Sequence, residues 1–291
     1  MKKTERAEAL AFTLKVAREA GGVLQTYARE LFSRPIRIID KGASGLASEA
    51  DLRAEEMVIA KIRRRYPHHG ILAEEDSHGK GPARLQRDPK ELTWLIDPLD
   101  GTNNFLNGLP FYCVSLALVE GHEVQVGVVH NPLTGETFYA SRGGGAFLER
   151  KFGGKRLIKR LRAPQRSSPL RECLISTNLG SKRHNAHLIR RFPEVRAFRR
   201  LGSAALELSY VAGGILDAYW EYNLQPWDVA AGGLICQEAQ LRISDLQGRA
   251  FDPFSLGVLA ARAPLYDDLL EILQAKSFQP TKLTRVSTSL V

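Results

Sequence analysis

The sequence contains few cysteines and no long hydrophobic run. Its three cysteines among 291 residues each lie in an apolar stretch, and their spacing matches no metal-binding motif: Cys113, Cys173 and Cys236. We therefore expect reduced core thiols and a cytoplasmic protein rather than a disulfide-stabilised secreted one. No segment is apolar over the ~20 residues that a transmembrane helix requires, so we expect no membrane span.

A signal-peptide core is also missing, since the N-terminal apolar residues recur at helical spacing and predict an amphipathic helix. With 291 residues, 44% of them hydrophobic, the chain can bury two cores that share a cleft. We predict an N-terminal α+β subdomain over 1–150, a basic connecting loop over 151–170, a C-terminal α/β subdomain over 171–276 and a loose tail over 277–291.

One segment lacks acidic residues altogether. Between Lys151 and Arg166 there are seven lysines and arginines and no acid, which accounts for much of the net charge of +9. Such a run is most often a solvated loop, and a dimer contact, a rim for an acidic substrate and a nucleic-acid contact are the alternatives. No aromatic series lies beside it, so the sequence gives little support to specific RNA binding, although it does not exclude it.

Acidic residues are instead concentrated where an apolar strand ends. Residues 93–96 predict a short strand, so Asp97 lies at its C-terminal end, where Pro98 should stop it. Asp100 follows within one turn, and Gly101 allows the backbone to approach a ligand closely. Two carboxylates about 4 Å apart repel by roughly 4 kcal/mol at an effective dielectric constant near 20, so they favour a bound cation. The alternative is a solvated turn.

Two further segments supply acids in similar settings. A second apolar strand runs into Glu74, Glu75 and Asp76, and Asp228 lies in the first turn of a helix that begins at Pro226. An acid in the first helical turn also stabilises the helix dipole, so that role is the alternative for Asp228.

Taken in order, these three motifs resemble the inositol monophosphatase family of magnesium-dependent, lithium-sensitive phosphatases. The resemblance runs from about residue 5 to about residue 275 and implies a layered α/β/α/β/α sandwich with mixed sheets. It also implies a homodimer and two or three Mg²⁺ ions. One ion would be held by Glu74, Asp97 and the carbonyl of Leu99, and a second by Asp97, Asp100 and Asp228. Only oxygen ligands are involved, which suits a hard cation better than zinc.

The same resemblance implies a mechanism in which two metal ions activate a water and stabilise the leaving alkoxide. Glu74, Thr102 and Asp51 would be the catalytic residues, with the Thr102 hydroxyl aligning the water and Asp51 pairing with Thr102. The amides of Gly101 and Thr102 would complement the developing negative charge. Asp51 also fits a capping box with Ser48 at the start of a helix, and both roles can hold together.

The resemblance also implies which residues contact the substrate. Two of them are the metal-site residues Asp100 and Asp228, and the others lie outside the metal site: Arg199, Ser203, Ala204 and Glu221. Arg199 can equally be a surface cation, and Ser203 can be only a helix start. The expected partner is a small phosphate ester, with inositol monophosphate first. Fructose 1,6-bisphosphate, 3'-phosphoadenosine 5'-phosphate and histidinol phosphate are the alternatives. A nucleic-acid or protein-binding regulatory role of the basic segment is the non-enzymatic alternative.

Glycines between Lys41 and Ser48 predict a mobile lid. Gly45 stands where the family often has an acid, so the sequence leaves open whether a third metal ion binds. The remaining pattern predicts strands over 111–119, 123–130, 136–140, 172–177, 215–221 and 257–261, and helices over 203–212, 226–239 and 264–275.

Overall fold

The computed structural model describes residues 1–31, 33, 36–41, 46–76, 90–163, 169–177 and 195–274. Six α-helices lie in these ranges: α1 (Lys3–Glu30), α2 (Glu49–Arg65), α3 (Thr102–Leu106), α4 (Ala204–Ala212), α5 (Pro226–Glu238) and α6 (Leu265–Gln274). The predicted N-terminal amphipathic helix is therefore confirmed as α1. No helix among the described residues is long and apolar enough to cross a membrane.

Seven strands form the larger sheet. Their spatial order follows the chain: β3 (Gly70–Ala73), β4 (Leu92–Asp100), β5 (Cys113–Glu120), β6 (Glu123–His130), β7 (Thr137–Ser141), β8 (Gly145–Phe152) and β9 (Lys155–Leu161). The pair β3–β4 is parallel and all other pairs are antiparallel, so the sheet is mixed.

A five-stranded sheet follows in the order β11-β10-β12-β14-β13. Its strands are β10 (Leu174–Thr177), β11 (Ala197–Arg199), β12 (Ala218–Tyr222), β13 (Arg242–Ser244) and β14 (Gly257–Ala261). Strand β10 pairs in parallel with both neighbours, and the rest of this sheet is antiparallel. A small hairpin of β1 (Ile38–Asp40) and β2 (Leu46–Ser48) precedes α2.

Three apolar cores separate five layers. The side chains of β5 alternate, so Val114, Leu116 and Leu118 face α1 and α2 while Ala117 and Val119 face α4 and α5. The core around α4 and α5 also receives one face of the five-stranded sheet, so it lies between both sheets. Helix α6 covers the other face of the five-stranded sheet through the third core. This arrangement confirms the predicted α/β/α/β/α sandwich with mixed sheets.

The predicted basic connecting loop was wrong over most of its described length. Residues 151–152 complete β8 and residues 155–161 form β9, so the segment is the last hairpin of the larger sheet. The physical reason is the turn, since Gly153 and Gly154 have φ of 55° and 77°, as a two-residue type I′ hairpin requires. The predicted tail over 277–291 lies outside the described residues, and the domain boundaries stay a prediction.

Pro98 does not stop its strand as predicted. Strand β4 continues to Asp100, with a shift of register against β5 between Asp97 and Asp100. A β-bulge accommodates a proline because the ladder hydrogen bond is already lost there. The other predicted elements are confirmed to within three residues where the chain is described. The three cysteines are buried and form no disulfide, as predicted.

Candidate active site

Asp97 lies in the bulge of β4 and is 2% exposed. Its Oδ1 accepts the N–H of Leu99 at 3.0 Å, so the side chain folds back over the bulged backbone. Burial raises the pKa of Asp97 well above its usual value, and the nearby charges of Glu74, Asp100 and Asp228 raise it further. The structure thus brings the three motifs predicted from sequence within electrostatic reach of one another.

Asp100 ends β4 and contacts the start of α4. Burial raises its pKa to about 7, against the effect of two donors. The Ser203 hydroxyl and the N–H of Ala205 each donate to the same oxygen, Oδ2, at 2.7 Å. Ser203, predicted as a substrate contact or a helix start, occupies the N-cap position of α4 and holds Asp100. Ala204 follows it as the first residue of that helix.

Asp228 lies in the first turn of α5, where its Oδ2 accepts the N–H of Gln225 at 2.7 Å. The predicted role at a helix start is therefore confirmed. Burial raises the pKa of Asp228 well above its usual value, and the charges of Glu74 and Asp100 add to the shift. The helix-start role and a place in the acidic cluster occur together.

Glu74 follows β3 and is paired with a buried lysine that the sequence reasoning did not assign. The Nζ of Lys41 lies 2.7 Å from Glu74 and 2.8 Å from Glu75, and the lysine side chain is 3% exposed. Burial lowers the pKa of Lys41, but the two carboxylates outweigh burial and raise it above its usual value. Lys41 therefore places a fixed positive charge beside the acidic cluster.

Among the residues that the structure describes, no group of three or more His, Cys, Asp or Glu side chains is arranged to hold a metal ion. Each carboxylate instead takes a donor from the chain, as Glu74 does from Lys41 and Asp100 from Ser203. The donor set nevertheless combines the buried Asp97 with half-buried carboxylates whose charges raise the pKa values of Asp97 and Asp228. A hard divalent cation is the charge that such a set fits.

Thr102 and Asp51 are joined by a direct hydrogen bond. The Thr102 hydroxyl lies 2.9 Å from Asp51 Oδ1 and 3.1 Å from the carbonyl oxygen of Leu99. Asp51 is fully buried, and burial raises its pKa to about 7. The N–H of Ser48 donates to Asp51 at 2.8 Å, which confirms the capping box. Asp51 thus serves both the helix start and the pairing with Thr102.

Gly101 is required by its backbone conformation. Its φ is 103°, and a Cβ there would lie 3.0 Å from the carbonyl oxygen of Phe111. No residue with a side chain fits this position without strain. The glycine lets the chain turn sharply from Asp100 into α3, which begins at Thr102.

Glu55 is a buried acid that the sequence reasoning missed. It is 4% exposed, and its two carboxylate oxygens accept the N–H of Glu75 at 2.9 Å and of Asp76 at 2.8 Å. Burial raises its pKa to about 7. Glu55 therefore fixes the turn that carries Glu74. One sequence signal was present, since Glu55 lies four residues after Asp51 and so on the same helix face.

The predicted substrate contacts differ in their surroundings. Arg199 is exposed and its guanidinium donates to the backbone carbonyl of Phe198 at 2.9 Å, which favours the surface-cation interpretation. Glu221 accepts the hydroxyl of Tyr219, and its charge contributes to the raised pKa of Asp228. The glycine-rich lid with Gly45, and with it the third metal, lies outside the described residues.

Comparison with known proteins identifies the family to which this fold belongs. Residues 5–277 match the model of the inositol monophosphatase family. A fructose-1,6-bisphosphatase/inositol-1-monophosphatase of Thermotoga maritima is 34% identical over 265 residues, covering 91% of this chain and 95% of that protein. A Nus factor SuhB of Xylella fastidiosa is 38% identical over 241 residues, 81% of each chain.

The same relationship holds for solved structures. The crystal structure of the extragenic suppressor protein suhB from Bartonella henselae superposes with a TM-score of 0.78 at 31% identity, covering 92% of this chain and 99% of that one. Both the family match and these relatives span nearly the whole described fold. The chain therefore belongs to the inositol monophosphatase family and is a phosphoric monoester hydrolase.

Proposed function

We propose that this protein hydrolyses inositol monophosphate with bound Mg²⁺. The family is metal-dependent, and its members act on small phosphate esters. The observation that carries the proposal is the hydrogen bond from Thr102 to Asp51 beside the buried Asp97 and the half-buried Asp100 and Asp228. A water-orienting hydroxyl next to an acidic metal site is what metal-assisted phosphate hydrolysis needs.

Glu74, Asp97, Asp100, Asp228 and the Leu99 carbonyl would hold the metal. When bound, Mg²⁺ would lower the pKa of the attacking water and offset the charge of the phosphate. Thr102 donates its one hydroxyl proton to Asp51, so its oxygen lone pairs can accept a hydrogen from the water and align it with phosphorus. The amides of Gly101 and Thr102 would complement the charge that develops on the phosphate oxygens.

Two residues remain as candidate contacts to the alcohol part of the substrate, Glu221 and Arg199, and their positions favour Glu221. The charge of Glu221 reaches Asp228, so its carboxylate lies where it can accept a hydrogen bond from a substrate hydroxyl. Arg199 would have to turn from its exposed position. We place Ser203 behind Asp100 as a positioning residue, because its hydroxyl donates to that carboxylate.

Phosphate release tests the proposal directly. Inositol 1-phosphate, fructose 1,6-bisphosphate, 3'-phosphoadenosine 5'-phosphate and histidinol phosphate are each supplied with Mg²⁺ and with a chelator. We expect Mg²⁺-dependent turnover with inositol 1-phosphate preferred, and a loss of at least about 10²-fold in Asp100→Asn. The exposed Asp268→Asn is the matched control. Near-normal turnover in Asp100→Asn would overturn the proposal.

Fructose 1,6-bisphosphate is the second candidate substrate, because the Thermotoga maritima relative is a fructose-1,6-bisphosphatase/inositol-1-monophosphatase. Preference for it in the same panel would change the substrate and keep the chemistry. The cytoplasmic location is proposed from the three buried cysteines, none of which forms a disulfide. The homodimer and the lithium sensitivity are proposals from the family resemblance alone.

A further inference from the structure

Strand β9 forms one edge of the seven-stranded sheet. It pairs with β8 in a continuous register from Ala146↔Leu161 to the Gly153-Gly154 turn. Within the described part of the chain, no strand pairs with its other side. In a two-residue hairpin the pair that flanks the turn is hydrogen-bonded, so alternate residues from Arg156 onward direct N–H and C=O outward. The open backbone groups are therefore those of Arg156, Ile158 and Arg160.

The side chains of β9 are exposed on both faces of the sheet. Six consecutive residues, 155–160, are exposed, including Leu157 at 54% and Ile158 at 50%. One face presents Arg156, Ile158 and Arg160, and the opposite face presents Lys155, Leu157 and Lys159. Each face thus carries one aliphatic side chain between two cations.

We propose that β9 is a docking strand for an extended acidic segment of another protein, which adds to the sheet as an eighth strand. Backbone hydrogen bonds to an open edge supply affinity in this mode, and alternate side chains supply specificity. The chemical order along residues 155–160 is two cations, two aliphatics and two cations. The complementary segment is two acids, two apolar residues and two acids, and it fits in either direction because the pattern is symmetric.

Other occupants fit the same strand less well. A second copy of β9 would place cations opposite cations, which destabilises a strand pair. Lysines on an edge strand also protect against aggregation, but protection does not call for two half-exposed aliphatic residues at its centre. Single-stranded nucleic acid would use the cations alone and leave the backbone edge and both aliphatic side chains unused.

A labelled peptide tests the proposal on the full-length protein. The probe is fluorescein-Gly-Ser-Glu-Glu-Val-Val-Glu-Glu-Ser-Gly, and its control has the central order Glu-Val-Glu-Glu-Val-Glu with the same composition and charge. A labelled oligouridine of the same length represents nucleic acid. Binding is followed by fluorescence anisotropy at low salt, where exposed ion pairs contribute most.

Two sets of variants separate the contributions. Leu157→Ser combined with Ile158→Ser keeps every charge, and Lys155→Gln combined with Lys159→Gln keeps both aliphatics. Arg156 is left unchanged because it lies 3.7 Å from the buried Glu149. All four positions are exposed, so we expect unchanged melting temperature and phosphatase turnover in both variants.

We expect the matched peptide to bind at least about tenfold more tightly than its reordered control, and each double variant to lose about tenfold. Hydrogen exchange at the amides of Arg156, Ile158 and Arg160 should slow on binding, because a paired strand protects alternate residues. The proposal would be overturned if the two peptides bound equally well, or if binding did not saturate up to about 1 mM peptide. It would also be overturned if oligouridine bound with an affinity that Leu157→Ser combined with Ile158→Ser did not change.

Discussion

The Ser203 hydroxyl donates a 2.7 Å hydrogen bond to the carboxylate of Asp100, from 103 positions further along the chain. The N–H of Ala205 donates to the same oxygen, so two donors at the start of α4 fix one side of the carboxylate. This contact ties the end of β4 in the larger sheet to the helix layer between the two sheets. Asp100 is therefore oriented by the second half of the fold.

Replacing Ser203 by alanine should reduce turnover without unfolding the protein. A hydrogen bond to a charged group contributes about 1.5–3 kcal/mol, so we expect kcat/KM to fall by about 10 to 100-fold. Ser203→Thr keeps the hydroxyl and is the control, with a smaller loss. Steady-state kinetics over a range of Mg²⁺ concentrations measures the change, and equal kcat/KM in wild type and Ser203→Ala would show that Ala205 alone orients Asp100.

The Thr102 hydroxyl is predicted to be needed for the chemical step. Thr102→Ala removes the group that Asp51 orients, and a positioned group of this kind contributes about 10² to 10⁴-fold. The loss should appear in kcat and leave KM nearly unchanged. Thr102→Ser should retain activity within about tenfold, since it preserves the hydroxyl. Comparable losses in both variants would contradict the role of the hydroxyl.

The sequence predicted the individual strands, helices and acids because these depend on local patterns, whereas the order of the layers followed from the family resemblance. The apolar run of β5, the apolar helices α4 and α5, and the acids at strand and helix ends are readable within about ten residues. The Thr102–Asp51 pairing followed from the family resemblance, and the structure has these residues in contact. The bulge at Pro98 was missed because a proline normally ends a strand and only the pairing with β5 reveals otherwise.

Contacts between distant segments could not be predicted. Lys41 meets Glu74 across 33 positions, and Glu55 meets the amide of Glu75 across 20. Nothing local distinguishes Lys41 from the exposed charges around it, and the signal for Glu55 was its helical spacing from Asp51. Strand β9 was missed for a different reason, since its exposed residues lack the apolar alternation that marks a strand, and only its Gly-Gly turn was a signal.

Glu55 should control metal affinity through the turn that carries Glu74. In Glu55→Gln the amide group can accept only one of the two N–H groups now bound, so the turn loses one anchor. We expect the Mg²⁺ dissociation constant from calorimetry, and the Mg²⁺ concentration for half-maximal activity, to rise about tenfold. At saturating Mg²⁺, kcat should recover to near the wild-type value.

Glu56→Gln on the same helix is the matched control for this test. Glu56 is exposed and pairs with the equally exposed Arg53 on α2. Exposed pairs of this kind contribute little, so metal affinity should not change. If Glu55→Gln and Glu56→Gln have the same Mg²⁺ affinity, Glu55 does not position the turn.

His130 should make stability depend on pH in mildly acidic solution. It is 8% exposed, and burial lowers its pKa from 6.5 to about 4, with Arg18 adding to the shift. The unfolded chain therefore binds a proton that the folded chain does not between pH 6.5 and 4. The contribution of His130 is complete above pH 6.5, and it is lost as the pH falls through this window.

This effect is measured as a difference, because Asp51 and Glu55 have raised pKa values and act in the opposite direction. Urea unfolding of wild type and His130→Gln is compared at pH 7 and pH 5. The difference in unfolding free energy should shrink by about 2 kcal/mol at the lower pH. A difference that is the same at both pH values would show that His130 does not remain neutral in the fold.

Gly127 lets α5 approach the larger sheet. A Cβ on Gly127 of β6 would lie 2.9 Å from both the Cα and the carbonyl oxygen of Ala231, so Gly127→Ala must push the helix away. We expect a loss of about 1–3 kcal/mol in unfolding free energy. Since α5 also carries Asp228, phosphatase activity should fall with stability.

Replacing Gly22 by alanine should instead raise the free energy of unfolding. Gly22 lies on the exposed side of α1, and a Cβ there meets nothing within 4 Å. Gly22→Ala should therefore stabilise the helix by about 0.5–1 kcal/mol through its higher helix propensity. Urea unfolding measures both variants. If Gly127→Ala were as stable as Gly22→Ala, close backbone contact would not be what sets the distance between α5 and the sheet, and the position of Asp228 would depend on side-chain packing alone.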